Sequence, residues 1–428
     1  MTSLSGFHRH DLDVRRELLR RAAAFDPDEW DAISGTPLDR ELADVMVESA
    51  VGCAPVPVGV AEGFLVDGED FAIPMAVEEP SVIAAAGFAA RIVRASGGFR
   101  TWATEPVMRA QVFLEGVDDA GARRLGECEP RVRDLLRPRL SSLERRGGGF
   151  RGMSVARLSA CPVVRVDLLV DVRDAMGANR LNTAAEAARP LLEEASGGRA
   201  LMCILSNEAR ERRAGAECRI AFRRLAPGLP DGMDGREAAR RVAAASAVAH
   251  ADPSRAVTHN KGIMNGISSL ALATMNDTRA VEAAAHAWAA RSGSYTALSE
   301  WAVDGETLVG RLELPLPLAS VGGSVDFHPA ARASLRLLGF PGATRLSRIG
   351  AALGLAQNFA AVFALVTRGI QEGHLRKHAA RLAWGAGARG AEAREVADRL
   401  SRDGTLDARS ARETLARVRE AQVREARP

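Results

Sequence analysis

Lysine is almost missing from this chain: of its 57 basic residues only Lys261 and Lys377 are lysine, and the rest are arginine. Arginine holds its proton and spreads its charge over a planar fork, whereas lysine offers a compact ammonium whose pKa answers to its surroundings. A lysine kept against such a background is a candidate for chemistry. Around Lys377 the run HLRKHAAR is simply polar and reads as a solvated surface; for Lys261 the neighbours decide. Tyrosine occurs once and aromatics make up 4% of the 428 residues, so the interleaved basic and stacking surface of a single-strand nucleic-acid binder is missing. The net charge of +3 demands no acidic partner, and the basic bunching at 123–146 and 376–428 reads as solvated helix faces. Five cysteines, at 53, 128, 161, 203 and 218, are odd in number and lack CxxC or Cys/His spacing. That excludes a disulfide framework and a structural zinc and reads each as a buried small hydrophobe. No run approaching ~18 uncharged apolar residues is expected, and the N-terminus lacks an apolar signal region. The chain therefore reads as cytoplasmic, with neither membrane nor nucleic acid as partner.

Residues 1–103 open with helical patterns, then an extended stretch from Phe64 to Val77 broken by the turn signal Asp67-Gly68, then a helix begun by EEPS and stopped at Gly97-Gly98. From 104 to 211 the pattern becomes strand (Met108–Leu114), charged helix (118–146), strand (152–158), strand (Pro162–Val172), Ala-rich helix (Ala178–Glu194) and strand (Arg199–Leu205). That βαββαβ order is the ferredoxin-like split unit and predicts a small inserted domain. Residues 212–368 return to helices and strands, with a long helix over Asp277–Ala290, and from 369 the chain is helical with a break at GAGARG, 385–390.

Several segments set functional side chains among apolar neighbours. In IPMAVEEPS, Glu79 stands at a helix N-terminus inside a hydrophobic stretch; removal from water raises a carboxyl pKa and suits a general acid, although the helix dipole pulls the other way and capping is an equal reading. DPSRAVTHNKGIMNGI gathers Arg255, His259, Asn260, Lys261 and Asn265, read as a polar loop around a glycine turn. Arg255 and Lys261 there suit an anionic substrate, and Lys261 suits a developing oxyanion. Asp277 in ATMNDTR caps the next helix or, reaching further, holds Lys261 charged and couples its titration to Glu79. His374 and His378 share i, i+4 spacing, but without HExxH or an acidic ligand no metal is indicated, and proton delivery to a leaving group suits His374 better. VVRVDLLVDVRDAMGANRLN joins a strand to a helix through Asp174, Met176, Gly177 and Asn179; it lacks GxGxxG and GxxxxGK[ST]. A glycine turn feeding a helix N-terminus still holds phosphate through free N–H groups, which reads as a non-Rossmann dinucleotide site.

These residues resemble one family closely, the class II, bacterial-type 3-hydroxy-3-methylglutaryl-coenzyme A (HMG-CoA) reductases. The matching strings run in order along the chain: ESAVG at 48–52, IPMAVEEPSVIAAA at 73–86, DVRDAMGAN at 171–179, LSN at 205–207, THNKGIMNGI at 258–267, ND at 276–277, VGG at 321–323, GLAQN at 354–358 and GIQEGH at 369–374. The resemblance implies interconversion of HMG-CoA with mevalonate and CoA by two hydride transfers from NADPH or NADH, without metal. It implies Glu79, Lys261, Asp277 and His374 as the catalytic set: Lys261 on the thioester and then the aldehyde carbonyl, His374 on the departing thiolate, Glu79 as proton donor, and Asp277 linking Glu79 with Lys261. Ser81, Arg255 and Asn265 match substrate-binding positions, and Asp174, Met176, Gly177, Asn179 and Asn207 match the cofactor site.

The implied architecture is α+β. A large mixed helix/strand substrate domain (1–103 and 212–368) is interrupted by the ferredoxin-like, non-Rossmann cofactor domain (104–211) and followed by a helical C-terminal flap (369–428). A homodimer with shared active sites, extended to a trimer of dimers, is implied as well. Three departures stand out. Ser49 and Ala50 alter a string usually reading ENVIG. Met275 replaces a usual glycine before the Asn-Asp pair, a change expected to reshape that turn. Leu140, beside Arg137 and Arg139, stands where NAD-preferring relatives carry an acid, which with Arg139 favours a 2′-phosphate and hence NADPH. Two other readings are a catalytically silent CoA-ester or nucleotide sensor on the same fold and a basic helical interaction module.

Overall fold

The computed structural model describes residues 4, 6–35, 38–226, 229–369 and 371–425, excluding the side chains of His8, 371–377 and 422–425. The extended stretch expected from Phe64 starts earlier: β1 (Val58–Val66) and β2 (Glu69–Ala76) pair antiparallel around Asp67-Gly68. Both turn residues have positive φ, 52° and 85°, the combination whose twist matches flanking strands. After the helix Val82–Arg94, β3 (Phe99–Ala103) lies parallel to β1, and the chain then leaves this sheet.

A second sheet follows, built from β4 (Val107–Glu115), β5 (Gly149–Arg157), β6 (Val163–Asp171) and β7 (Arg199–Ser206) in the antiparallel order β5-β6-β4-β7. On β4 buried and half-buried side chains alternate strictly, the period-two pattern that marked it in the sequence. The charged helix expected over 118–146 is three short ones, Asp119–Glu127, Glu129–Leu136 and Ser141–Glu144. Pro130 restarts the second of them, because proline lacks the N–H a continuing helix needs. The Ala-rich helix runs Ala178–Ser196 and ends on left-handed Gly197.

The chain re-enters the first sheet with β8 (Arg213–Ala221), then β9 (Ser299–Asp304) and β10 (Thr307–Pro315), completing the order β2-β1-β3-β8-β10-β9. One apolar core joins this sheet to the helices Val82–Arg94, Pro253–Ala273, Thr278–Ala289 and Ala343–Val366, a second fills the 104–211 region, and a third holds the helices after 370 together. The GAGARG break separates the helices Gln371–Gly385 and Gly390–Asp403.

Two expectations are corrected. The helix Ala343–Val366 is long and apolar enough to cross a bilayer, contrary to the reading of the sequence, but 78% of its most apolar window is buried inside the protein, so it is a core helix. And the cysteines are not uniformly buried: Cys128 and Cys218 are, whereas Cys53 and Cys161 are exposed. Burial pushes the thiols of Cys128 and Cys218 up in pKa, which keeps them protonated and inert.

Candidate active site

The segment expected to be a polar loop with a glycine turn is helix throughout, Pro253–Ala273, capped by Asp252 and opened by Pro253. Its glycines serve packing. A Cβ on Gly266 would lie 3.1 Å from Gln357 Cβ, and one on Gly354 would lie 2.7 Å from Ile267 Cδ1, so glycine on both helices lets Pro253–Ala273 cross Ala343–Val366 closely. On the helix, His259 and Asn260 point into the core while Lys261 points out, 58% exposed.

Lys261 Nζ donates to Glu79 Oε2 at 2.8 Å, joining residues 182 apart in sequence. Glu79 sits in the turn between β2 and the helix Val82–Arg94, whose N-cap is Ser81 at φ +75° with its hydroxyl unused in capping. Its carboxylate is 37% exposed, so the burial expected to make it an acid is only partial, and the ammonium is its immediate partner. An exposed pair of this kind contributes roughly 0–1 kcal/mol to stability. Its placement therefore owes little to folding energy. A cavity of about 430 Å³, lined by Glu79, Pro80, Ser81, Ile83, Arg15 and Arg16 among others, opens on the Glu79 side of the pair, within the usual size of ligand sites.

Asp277 does not bridge the two as expected. Its Oδ1 caps the helix Thr278–Ala289 by accepting from Ala280 N at 3.0 Å and lies 3.6 Å from Arg279 Nη2, while Glu79 meets Lys261 directly. Arg255 and Asn265 are half-buried on the Lys261 helix, Asn265 one turn beyond Lys261. The C-terminal helix Gln371–Gly385 reaches this region through Arg381 Nη2, 3.5 Å from the carbonyl of Glu78. His374 belongs to that helix, but its side chain lies outside the described residues; His378 is exposed.

At the turn expected to bind dinucleotide, Gly177 has φ +88° and a Cβ there would sit 2.4 Å from Val172 Cγ1. It opens the helix Ala178–Ser196, which has no side-chain cap. An uncapped helix N-terminus behind a glycine fits a phosphate group. Met176 is half-buried at this turn, and Asn179 and Asn207 are exposed. The carboxylate of Asp174 is engaged by the protein itself: Oδ1 accepts from Ala343 N at 2.8 Å and so caps the core helix. Leu140 is 2% exposed and belongs to the core of this region, so its position does not face a ribose; Arg139 is exposed, with Nη1 on the Leu135 carbonyl at 2.9 Å.

A family model described as hydroxymethylglutaryl-coenzyme A reductase matches residues 11–379. The chain belongs to that family. A reductase of this name from Archaeoglobus fulgidus is 40% identical over 97% of this chain and 94% of its own, and a probable one from Borreliella burgdorferi is 34% identical over 78% and 76%. Among solved structures, the Streptococcus pneumoniae reductase superposes with a TM-score of 0.82 at 40% identity, covering 97% of this chain and 100% of that one. A class II structure from the same organism, described as bound to NADPH in open conformations, gives 0.81 at 41% identity over 85% of this chain and 100% of that one. The mixed α+β fold and the nicotinamide-dependent HMG-CoA reductase activity follow, and nothing supports the silent sensor.

Within this reductase the sequence reading missed a buried polar network behind Lys261. Asn358 Oδ1 accepts from Trp301 Nε1 at 2.8 Å and from Ser299 Oγ at 2.9 Å, which turns its amide nitrogen toward His259 Nε2 at 3.1 Å. The same Nε2 lies 2.7 Å from Ser299 Oγ, so one ring nitrogen of His259 serves both neighbours, while Nδ1 has no partner among the described residues. Burial, with Arg255 and His250 adding to it, pushes the His259 pKa down to about 4. Asn260 completes the anchorage by accepting from Leu298 N and donating to the Thr296 carbonyl, both at 2.9 Å. The only signal in the sequence was two polar residues beside a lysine, which periodicity alone does not distinguish from a solvated face.

Met275 shows how the turn before Asp277 tolerates its departure from the family pattern. Its φ is +51°, the left-handed conformation that glycine takes freely, so the turn keeps its left-handed residue and methionine bears the strain. Met275→Gly is expected to stabilise the protein by about 0.5–1 kcal/mol, the relief of left-handed strain less the added chain entropy of glycine. Urea unfolding of the two proteins checks it, and a loss of stability in the glycine variant would contradict the strain.

Proposed function

We propose that Lys261, Glu79, Asp277 and His374 are the catalytic residues of this HMG-CoA reductase. The observation that carries the reading is the 2.8 Å contact of Lys261 Nζ with Glu79 Oε2 beside an open cavity. Lys261 donates to the thioester oxygen as charge develops on it, and again to the aldehyde oxygen in the second reduction. Glu79, which takes up a proton from solvent for this step, delivers it to the alkoxide and is left as the carboxylate that pairs with the ammonium. His374 protonates the departing CoA thiolate. Asp277 completes the set through its place in the Asn-Asp pair, its carboxylate capping the helix Thr278–Ala289. Ser81, whose hydroxyl is free of capping, Arg255 and Asn265 hold the anionic acyl portion of the substrate.

The bound nicotinamide supplies hydride for each of the two reductions. Asp174, Met176, Gly177, Asn179 and Asn207 hold the dinucleotide, its phosphates at the uncapped start of the helix Ala178–Ser196; Asp174 also caps the helix that begins at Ala343 through Oδ1. Residues 104–211 form the ferredoxin-like cofactor domain, supported by the strand order β5-β6-β4-β7, set into the substrate domain of 1–103 and 212–368. Residues 369–428 act as the flap; the Arg381 contact with Glu78 supports this, since a reactive aldehyde must be retained between hydride transfers. The enzyme works as a cytoplasmic homodimer with shared sites, assembled further as a trimer of dimers, without metal.

NADPH is the favoured cofactor, through the exposed Arg139. Absorbance of NADPH and of NADH, followed separately with HMG-CoA and in reverse with mevalonate and CoA, tests the whole reading. Oxidation of about two cofactors per HMG-CoA is expected, and no turnover in either direction would refute it. Arg139→Asp is expected to raise KM for NADPH while leaving KM for NADH near wild type; a wide NADH preference in the wild type would remove the role given to Arg139.

A further inference from the structure

Arg212 is 3% exposed at the point where the chain returns from the second sheet to the first. Burial lowers its pKa to about 10. No carboxylate among the described residues forms an ion pair with it; its guanidinium donates instead to two backbone carbonyls, Ala175 in the dinucleotide turn at 2.9 Å and Leu318 just beyond β10. Burying a charge with no carboxylate in direct contact costs free energy, offset in part by the nearby Asp171 and Asp174 carboxylates.

The residues after Leu318 continue the pattern. Ala319 is gripped on both sides by Asn276, with N–H to Oδ1 at 2.6 Å and Nδ2 to the carbonyl at 3.0 Å. Ser320 and Val321 then donate their N–H groups to the Asp174 carbonyl at 2.9 and 3.3 Å. Three successive steps of one short segment thus attach to the domain junction, to the residue preceding Asp277, and to the dinucleotide turn. Asn276 is itself fixed, its N–H on the Ala271 carbonyl at 2.8 Å and its amide on Thr274 Oγ1 at 2.9 Å, Thr274 being fully buried. Leu316, Leu318 and Ala319 are buried too.

We infer that Leu318–Val321 is a strut that sets the dinucleotide turn relative to the Asp277 carboxylate, with Asn276 and Arg212 as its positioning residues. The inference rests on the reading of Asp277 and the 174–179 turn given above. Asn276 is the better handle, because it leaves no buried charge behind when changed.

Asn276→Ala releases Ala319, and both ends of the strut slacken. The expected result is a fall in kcat of roughly 10–100-fold, as for a sub-ångström to ångström misplacement of reacting groups, with KM for HMG-CoA within about twofold. Calorimetric titration of NADPH into the substrate-free full-length protein should show a weaker Kd. Ser347→Ala removes a 2.8 Å bond from Ser347 Oγ to the Leu316 carbonyl on the same stretch, without touching either turn. It should lower Tm while leaving kcat and the NADPH Kd unchanged. Asn276→Asp offers a conservative rescue: only its protonated form both accepts from and donates to Ala319, so its activity relative to wild type should rise as pH falls. If Asn276→Ala behaves as Ser347→Ala does, with only Tm changed, the strut is overturned. Asp277→Asn separates the two ideas, because normal turnover in that variant overturns the reading of Asp277, and an inactive one with an unaltered Asn276→Ala overturns the strut alone.

Discussion

Lys261→Ala is expected to lower turnover by about 100–1,000-fold, the usual consequence of removing one donor to a developing oxyanion, while changing Tm little. The two parts of that expectation come from different features of the site. Lys261 is 58% exposed and its partner Glu79 37% exposed, so the pair contributes at most about 1 kcal/mol to folding. A charged donor 2.8 Å from a carboxylate at the edge of a cavity is nonetheless held ready for a substrate carbonyl. Lys261→Arg should restore little, since a planar fork on a longer stem does not put one donor where the ammonium stood. Lys377→Ala, at the chain's second lysine, is the control and should be near wild type. Steady-state kinetics with both substrates saturating, alongside thermal melts, decide it; equal losses at both lysines would count against the assignment.

The second large effect is on stability against pH. His259 has a folded pKa of about 4 against an ordinary 6.5, caused by burial. Between those values the unfolded chain binds a proton that the folded protein refuses, so stability rises with pH across the window and is lost as pH falls from 6.5 towards 4. A shift of that size corresponds to roughly 3 kcal/mol over the full window. His328, also shifted down by burial, adds to the same slope, so the comparison is with His259→Asn. Carboxylates held low by arginine, such as Glu237 beside Arg240 and Arg241, lose their contribution only below the ordinary carboxylate range. Urea unfolding at pH 7 and pH 5 in the two proteins measures the difference. A His259→Asn variant as acid-sensitive as wild type would show that His259 is not the group responsible.

The network also fixes where Lys261 stands. The helix Pro253–Ala273 is tied through His259 and Asn260 to β9, to the loop before it and to the core helix. Side chains on the inner face thus set the height of the lysine on the outer face. That division is why the two neighbours of Lys261 are among the most buried polar residues of the protein.

Much of this was written locally in the amino acids. Strand β4 was legible because period-two burial leaves a period-two sequence, the β1–β2 turn because Asp-Gly accepts two left-handed residues, and the helix after Asp277 because an aspartate cap starts it. The motif strings identified Glu79, Lys261 and Asp277 as candidates before any contact was known. Only the tertiary structure decided what those residues touch. Glycines at 262 and 266 looked like a turn because glycine permits one, but at 266 a close helix crossing selects the same residue for its missing Cβ. Leu140 read as a cofactor position until packing placed it in the core, and nothing local announced that one carboxylate oxygen of Asp174 caps a helix that begins at Ala343. Propensity, capping and turn chemistry act over a few residues and survive in the sequence. A contact between residues 182 apart, like that of Lys261 with Glu79, exists only once the first sheet and the helices packed on it have closed.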